Sequence, residues 1–103
     1  MAAEAVREDV MRHYYAIAER GRGRTWWICF PGGSAYSAAD DASEIVAQAQ
    51  DALASLCMYP PVTGMPPAIE DGAPLPTDLS SFEQPAFVVV VPFAHTEEAK
   101  AAA

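Results

Sequence analysis

RHYYAIAERGRGRTWWICF, residues Arg12 to Phe30, decides the fold. Arg12 to Glu19 sets His13, Tyr15, Ile17 and Glu19 against Tyr14, Ala16 and Ala18. That is the two-residue period of a strand, and its aromatic and β-branched content suits one. Arg20-Gly21-Arg22-Gly23-Arg24 predicts a turn, because two glycines supply the positive φ angles of a tight hairpin loop. Thr25 to Phe30 is the returning strand, with Trp26, Ile28 and Phe30 on one side and Thr25, Trp27 and Cys29 on the other. Both sides are apolar, so cover is expected on both: a helix on one, and another chain or a loop on the other.

Working outward, Pro31-Gly32-Gly33 breaks the strand, and Ser34 to Ala39 predicts a short third strand centred on Tyr36. A helix then starts at Asp41, whose side chain suits an N-cap, with Glu44 three residues on to reach back to the cap's N–H. Ala42, Ile45, Val46, Ala49, Ala52, Leu53, Leu56 and Cys57 recur at steps of three and four as one apolar stripe. The helix is predicted to end near Met58, giving a length of about 25 Å. Tyr59 to Ser81 holds six of the nine prolines. It predicts a connection that wraps the surface, with a short helical turn near Met65 to Asp71. After Pro85, the run from Ala86 to Phe93 predicts a last strand, apolar on both faces. The expected class is α+β: a βββαβ sheet of about four strands with one main helix on one face. The last strand follows a helix and a long connection, so it is expected to lie parallel to the first. The sheet's second face has no element to cover it, which predicts a homodimer or higher oligomer.

With 103 residues, 51% of them hydrophobic, the chain supports one domain with a packed core. Residues 1–10 read as an N-terminal extension, 11–94 as the domain and 95–103 as a disordered tail. No apolar run reaches the roughly 18 residues of a membrane span. The polar, acid-bearing start lacks the pattern of a secretion signal, so a cytoplasmic location is expected. Cys29 and Cys57 stand alone, without Cys-x-x-Cys spacing or a neighbouring histidine, which predicts two buried thiols rather than a metal site. All five arginines lie at or before position 24, whereas Thr25 to Ala99 carries ten acids and no lysine or arginine. With a net charge of −8, such a surface repels nucleic acid and attracts a basic partner, although plain solubility is also served by it.

Met11 to Glu19, a short turn, and then Trp26-Trp27-Ile28-Cys29-Phe30-Pro31-Gly32 together resemble the opening of HicB-type antitoxins. In that family an aromatic strand closing on Phe-Pro is followed by a short strand with Ser-Ala and an Asp-started helix rich in Glu, Ala and Leu. Here Trp27 to Pro31, Ser37-Ala38-Ala39-Asp40 and Asp41 to Leu56 correspond. Glu70-Asp71-Gly72-Ala73-Pro74-Leu75-Pro76 is similar to the family's Glu-Asp-Gly connection. The resemblance covers about residues 11 to 93 and rests on the ordered set rather than on one motif. Two departures stand out. The loop after Phe-Pro is shortened to Gly32-Gly33, and residues 94–103 are too few to hold the ribbon-helix-helix or helix-turn-helix segment that many members carry after the last strand, so a DNA-binding role is not expected of these residues.

The resemblance implies a degraded, partial RNase H-like domain that binds and masks a small, basic, RNA-cleaving HicA-like toxin. On this reading Trp27 and Tyr36 anchor the partner, with Asp40 and Asp41 beside them. Each has a competing structural role, since strand tryptophans are usually core and Asp41 is first a helix cap. A second candidate site is the hairpin tip, where Arg20, Arg22 and Arg24 would hold phosphates in a nucleic-acid-binding regulator. A solvated turn is the plainer account of it, because three charges support only weak binding. A third reading is an orphan oligomer without a surviving toxin. No catalytic constellation, cofactor or metal is expected: Glu19 is the only acid within the strands, too few for a two-metal site, and His13 and His95 lack a visible nucleophile.

Overall fold

The computed structural model describes residues 9–58 and 61–96. They form four strands, β1 (Asp9–Glu19), β2 (Trp26–Cys29), β3 (Tyr36–Ala39) and β4 (Ala86–Thr96), and one α-helix, α1 (Ile45–Leu56). Short 3-10 turns sit at Ala42–Glu44 and Ile69–Asp71. The sheet runs in the order β3-β2-β1-β4, with each neighbouring pair antiparallel. This is the expected α+β, βββαβ arrangement with one main helix. No helix among the described residues is long and apolar enough to cross a membrane.

The alternation of β1 and β2 sorts the side chains as the sequence predicts. Tyr14, Ala16 and Ala18 from β1, with Trp26 and Ile28 from β2, are buried under α1. The helix contributes Ile45, Ala49 and Leu53, spaced four apart on one stripe. Val91 of β4 completes this layer with no exposed surface. Small residues at Ala16, Ala18 and Ala49 let the helix approach the sheet closely, since each is fully buried.

Several expectations are corrected. Strand β1 begins at Asp9, so the last two residues of the predicted extension belong to the sheet; residues 1–8 lie outside those described. At the other end β4 continues through His95 to Thr96, and residues 97–103 of the expected tail also fall outside. The helix proper is 12 residues long, about 18 Å, and not 25 Å. Asp41 accepts the N–H of Ser43 and caps the 3-10 turn that leads into it, but Glu44 makes no reciprocal cap bond. Only half of the expected capping box forms.

The largest correction concerns β4, which runs antiparallel to β1 and not parallel, with Glu19 opposite Ala86 and Asp9 opposite Thr96. The proline-rich connection is the reason. At Glu70 it lies beside His13, near the start of β1, where Glu70 accepts the backbone N–H of His13 at 2.9 Å. By Glu83 it has reached the other end, where the Glu83 N–H donates to Glu19 at 2.8 Å. The N–H of Arg20 then donates to the carbonyl of Pro85 at 3.1 Å. The connection thus travels the length of β1 and delivers the chain to β4 beside the end of β1, so the only way on is back down. Without that excursion, a strand following α1 would have run parallel. The connection's entry is fixed by a close crossing: Ser34 donates to the carbonyl of Gly64, whose φ of +80° only glycine adopts freely.

Candidate functional site

The face of the sheet opposite α1 is set by the same alternation. Trp27 is opposite Ala38, and Cys29 is opposite Tyr36, so Trp27 and Tyr36 share this face as diagonal neighbours on β2 and the edge strand β3. Both rings stand in solvent, Trp27 58% and Tyr36 74% exposed. The expected cover for the second side of β2 is therefore incomplete within the chain. What cover there is comes from the connection: Pro67, Ala73 and Pro74 close over Tyr15, and Phe82 reaches the groove floored by Cys29. That groove, about 470 Å³, runs between Phe82 and the Trp27–Tyr36 pair and has Glu19 at one end.

Carboxylates rim the aromatic pair. Glu19 and Glu83 meet beside Trp27, where a shallow depression is also bordered by Arg20 and Arg22. Asp40 and Asp41 follow β3 directly, both exposed. Asp41 is already engaged. Its carboxylate takes the Ser43 hydroxyl and N–H, and those bonds hold its pKa below the ordinary aspartate value. Of the four predicted contact residues, the structure brings Trp27 and Tyr36 onto one face, leaves Asp40 exposed just after β3 and gives Asp41 to the helix cap.

The arginine hairpin is divided. The Arg20 guanidinium lies over the Trp26 ring, 5.1 Å from its centroid, a cation–π contact that fastens it to the sheet. Arg22 and Arg24 remain exposed at the tip, with the Glu83 side chain packed close to Gly21. Exposed arginines with Glu19 and Glu83 beside Arg22 make a mixed-charge patch rather than a basic one.

Three pairings were not visible in the sequence. Nδ1 of His13 lies 2.5 Å from the Glu70 carboxylate, and the guanidinium of Arg12 lies 3.1 Å from Asp71. A carboxylate only accepts, so His13 carries its proton on Nδ1. Hydrogen bonds from the His13 side chain and then its backbone N–H push the Glu70 pKa down to about 2. Tyr14 and His95 meet at 2.7 Å across β1 and β4. The adjacent base pair Arg12-His13 and acid pair Glu70-Asp71 offered a complementary signal, but nothing in their spacing tied one to the other. Together they clamp the connection to β1. Cys29 and Cys57 are free, half-buried thiols rather than fully buried ones, with pKa values raised by burial. Among the described residues no three His, Cys, Asp or Glu side chains gather as a metal site would require.

Fold and surface thus define a small α+β domain: one antiparallel sheet, one helix, and an aromatic, acid-rimmed face left open. Comparison with protein-family models, with curated proteins and with solved structures finds no match for the chain.

Proposed function

We propose that this chain is an antitoxin-like, non-catalytic binding module of the cytoplasm that masks a small, basic, RNA-cleaving protein through the Trp27–Tyr36 face. The observation that carries this reading is the pair of exposed aromatic rings on one sheet face, in a chain that has no lysine or arginine between Thr25 and Ala99. Large rigid aromatics lose little entropy on binding and are the residues most often responsible for interface energy. Glu19 lines the same groove as both rings, Glu83 lies beside Trp27 and the exposed Asp40 follows β3, and such carboxylates steer a basic partner and reject nucleic acid. The resemblance to HicB-type antitoxins supplies the partner's class, a HicA-like toxin whose basic RNA-binding face this surface would cover.

The test is capture from the native cell with the full chain as bait, followed by an RNA-cleavage assay on whatever is recovered. The expected result is a small basic protein that cuts RNA alone and stops when the chain is added. Trp27→Ala should weaken that inhibition by about tenfold or more, as befits a central aromatic anchor. The exposed Arg22, changed to Ala, should leave it within about threefold. The reverse ranking would move the interface to the hairpin. Recovery of RNA or DNA in place of a protein would overturn the reading in favour of a nucleic-acid-binding regulator.

A further inference from the structure

Strand β4 is 11 residues long and forms one edge of the sheet. Which of its backbone groups face outward follows from one bond. The Arg20 N–H donates to the Pro85 carbonyl, so Pro85 points its backbone toward β1. In an antiparallel ladder the direction alternates with each residue. Phe87, Val89, Val91 and Phe93 therefore bond to β1, whereas Ala86, Val88, Val90, Pro92 and Ala94 turn their backbone groups away from the sheet. Pro92, which has no N–H, falls on the outward set, as a proline in a strand must.

That edge is stopped at both ends and open between. The Ala86 N–H donates to the Gln84 side chain at 3.3 Å. The Pro92 carbonyl accepts from the Gln50 side chain, reaching down from α1 at 2.8 Å. Among the described residues nothing meets the outward N–H and C=O of Val88 and Val90. No charged residue, the usual guard of an exposed edge, occurs between Ala86 and Ala94. Val90 is 49% exposed.

We infer that β4 pairs edge to edge with β4 of a second copy of this chain, antiparallel about a two-fold axis at Val89. The occupant follows from symmetry. Two donors and two acceptors, at Val88 and Val90, form a set that is its own complement. With the axis at Val89, Val88 of one copy opposes Val90 of the other, and each such pair exchanges both hydrogen bonds. The stopped positions also meet each other, Ala86 opposite Pro92, so Gln84 and Gln50 bound the pairing to the stretch between them. The result is one continuous eight-stranded sheet that leaves Trp27 and Tyr36 free on the far side of each protomer. The pairing does not depend on the proposed function.

The experiment is amide hydrogen exchange on the full chain by NMR, with sedimentation of the same samples, from low to high micromolar concentration. The expected result is a dimer in which the Val88 and Val90 amides become protected with concentration, by about tenfold or more. Val89 and Val91, already in the β1 ladder, are slow throughout. Val88→Pro removes an outward N–H without touching that ladder, and it should give a monomer with an unchanged far-UV spectrum. Val90→Lys, which keeps the backbone whole, should do the same should the proline variant fail to fold. A monomer at every concentration overturns the inference. So does a dimer whose Val88 and Val90 amides exchange as fast as in dilute solution, or one abolished by Trp27→Ala instead.

Discussion

At the scale of single residues, exposure separates what holds the fold from what the proposed partner would meet. Trp26 and Trp27 are adjacent and chemically identical, yet Trp26 is buried between Phe87 and the Arg20 guanidinium while Trp27 stands in solvent. Trp27→Ala is therefore expected to change stability by less than about 0.5 kcal/mol. Trp26→Ala should cost about 4 kcal/mol, in the range for a deleted buried aromatic. Urea unfolding of the two variants checks both, and equal losses would show Trp27 to be core. Glu70 provides the pH counterpart. Its carboxyl is held at about 2, below the ordinary 4.5, by the side chain and backbone of His13. A depressed carboxylate adds stability that is fully present above the ordinary value and disappears as pH falls through the depressed one. Wild type should thus lose stability relative to Glu70→Gln between about pH 4.5 and pH 2, and the two should converge at the acid end. Parallel pH profiles of the two proteins would mean that the His13–Glu70 contact does not form in solution.

At the scale of elements, the local periods were legible because each follows from the residues of one element alone, before any other element is in place. The hairpin of β1 and β2 declares itself by alternation and its glycine turn, the stripe of α1 by steps of three and four, and β4 by an unbroken apolar run of strand length. Leu53 sits at the centre of the helix stripe and has no exposed surface. Leu53→Ala is expected to cost about 3 kcal/mol in urea or thermal unfolding, whereas a cost below 1 kcal/mol, about that of an ordinary surface change, would remove α1 from the core. What the sequence concealed is direction and partnership. The pattern of four valines reads the same up or down the sheet, so it could not reveal that β4 descends. That was settled by the path of the connection, through contacts such as Glu70 to His13 and Glu83 to Glu19 that join residues 57 and 64 positions apart. The same distance effect hid the division of the arginine hairpin, since the contact of Arg20 with Trp26 requires the hairpin to be closed first. The site was half legible. Parity placed Trp27 on the face opposite Trp26, but which of the two faces α1 would cover, and how far the connection would cover the other, depended on the tertiary path. The crossing at Gly64 tests this account: a Cβ there would lie 2.0 Å from the Ser34 hydroxyl, with φ at +80°. Gly64→Ala should destabilise the chain by about 2 kcal/mol, and a neutral result would detach the connection from the sheet.

At the scale of the whole molecule, two contacts are proposed on two different surfaces, and charge tells them apart. The chain carries a net −8, so two copies repel each other wherever they meet, although no charge lies on β4 from Ala86 to Ala94. The edge contact consists of backbone hydrogen bonds and valine side chains, and salt does little to these directly while it screens the mutual repulsion of the protomers. The Trp27–Tyr36 face is the opposite case, since its attraction for a basic partner draws on Glu19, Glu83 and Asp40. Between about 0.01 M and about 1 M salt the Debye length falls from roughly 30 Å to roughly 3 Å, which removes long-range attraction and repulsion alike. Self-association is therefore expected to tighten across that range, while capture of the basic partner weakens, chiefly through a slower association rate. Sedimentation and binding kinetics over one salt series measure both. Should self-association weaken with salt as well, ion pairs would have to join the two copies. Arg22 and Arg24, exposed at the hairpin tip, are the cations placed to reach a second chain's carboxylates, and the two-fold axis would then lie at the hairpin rather than at Val89.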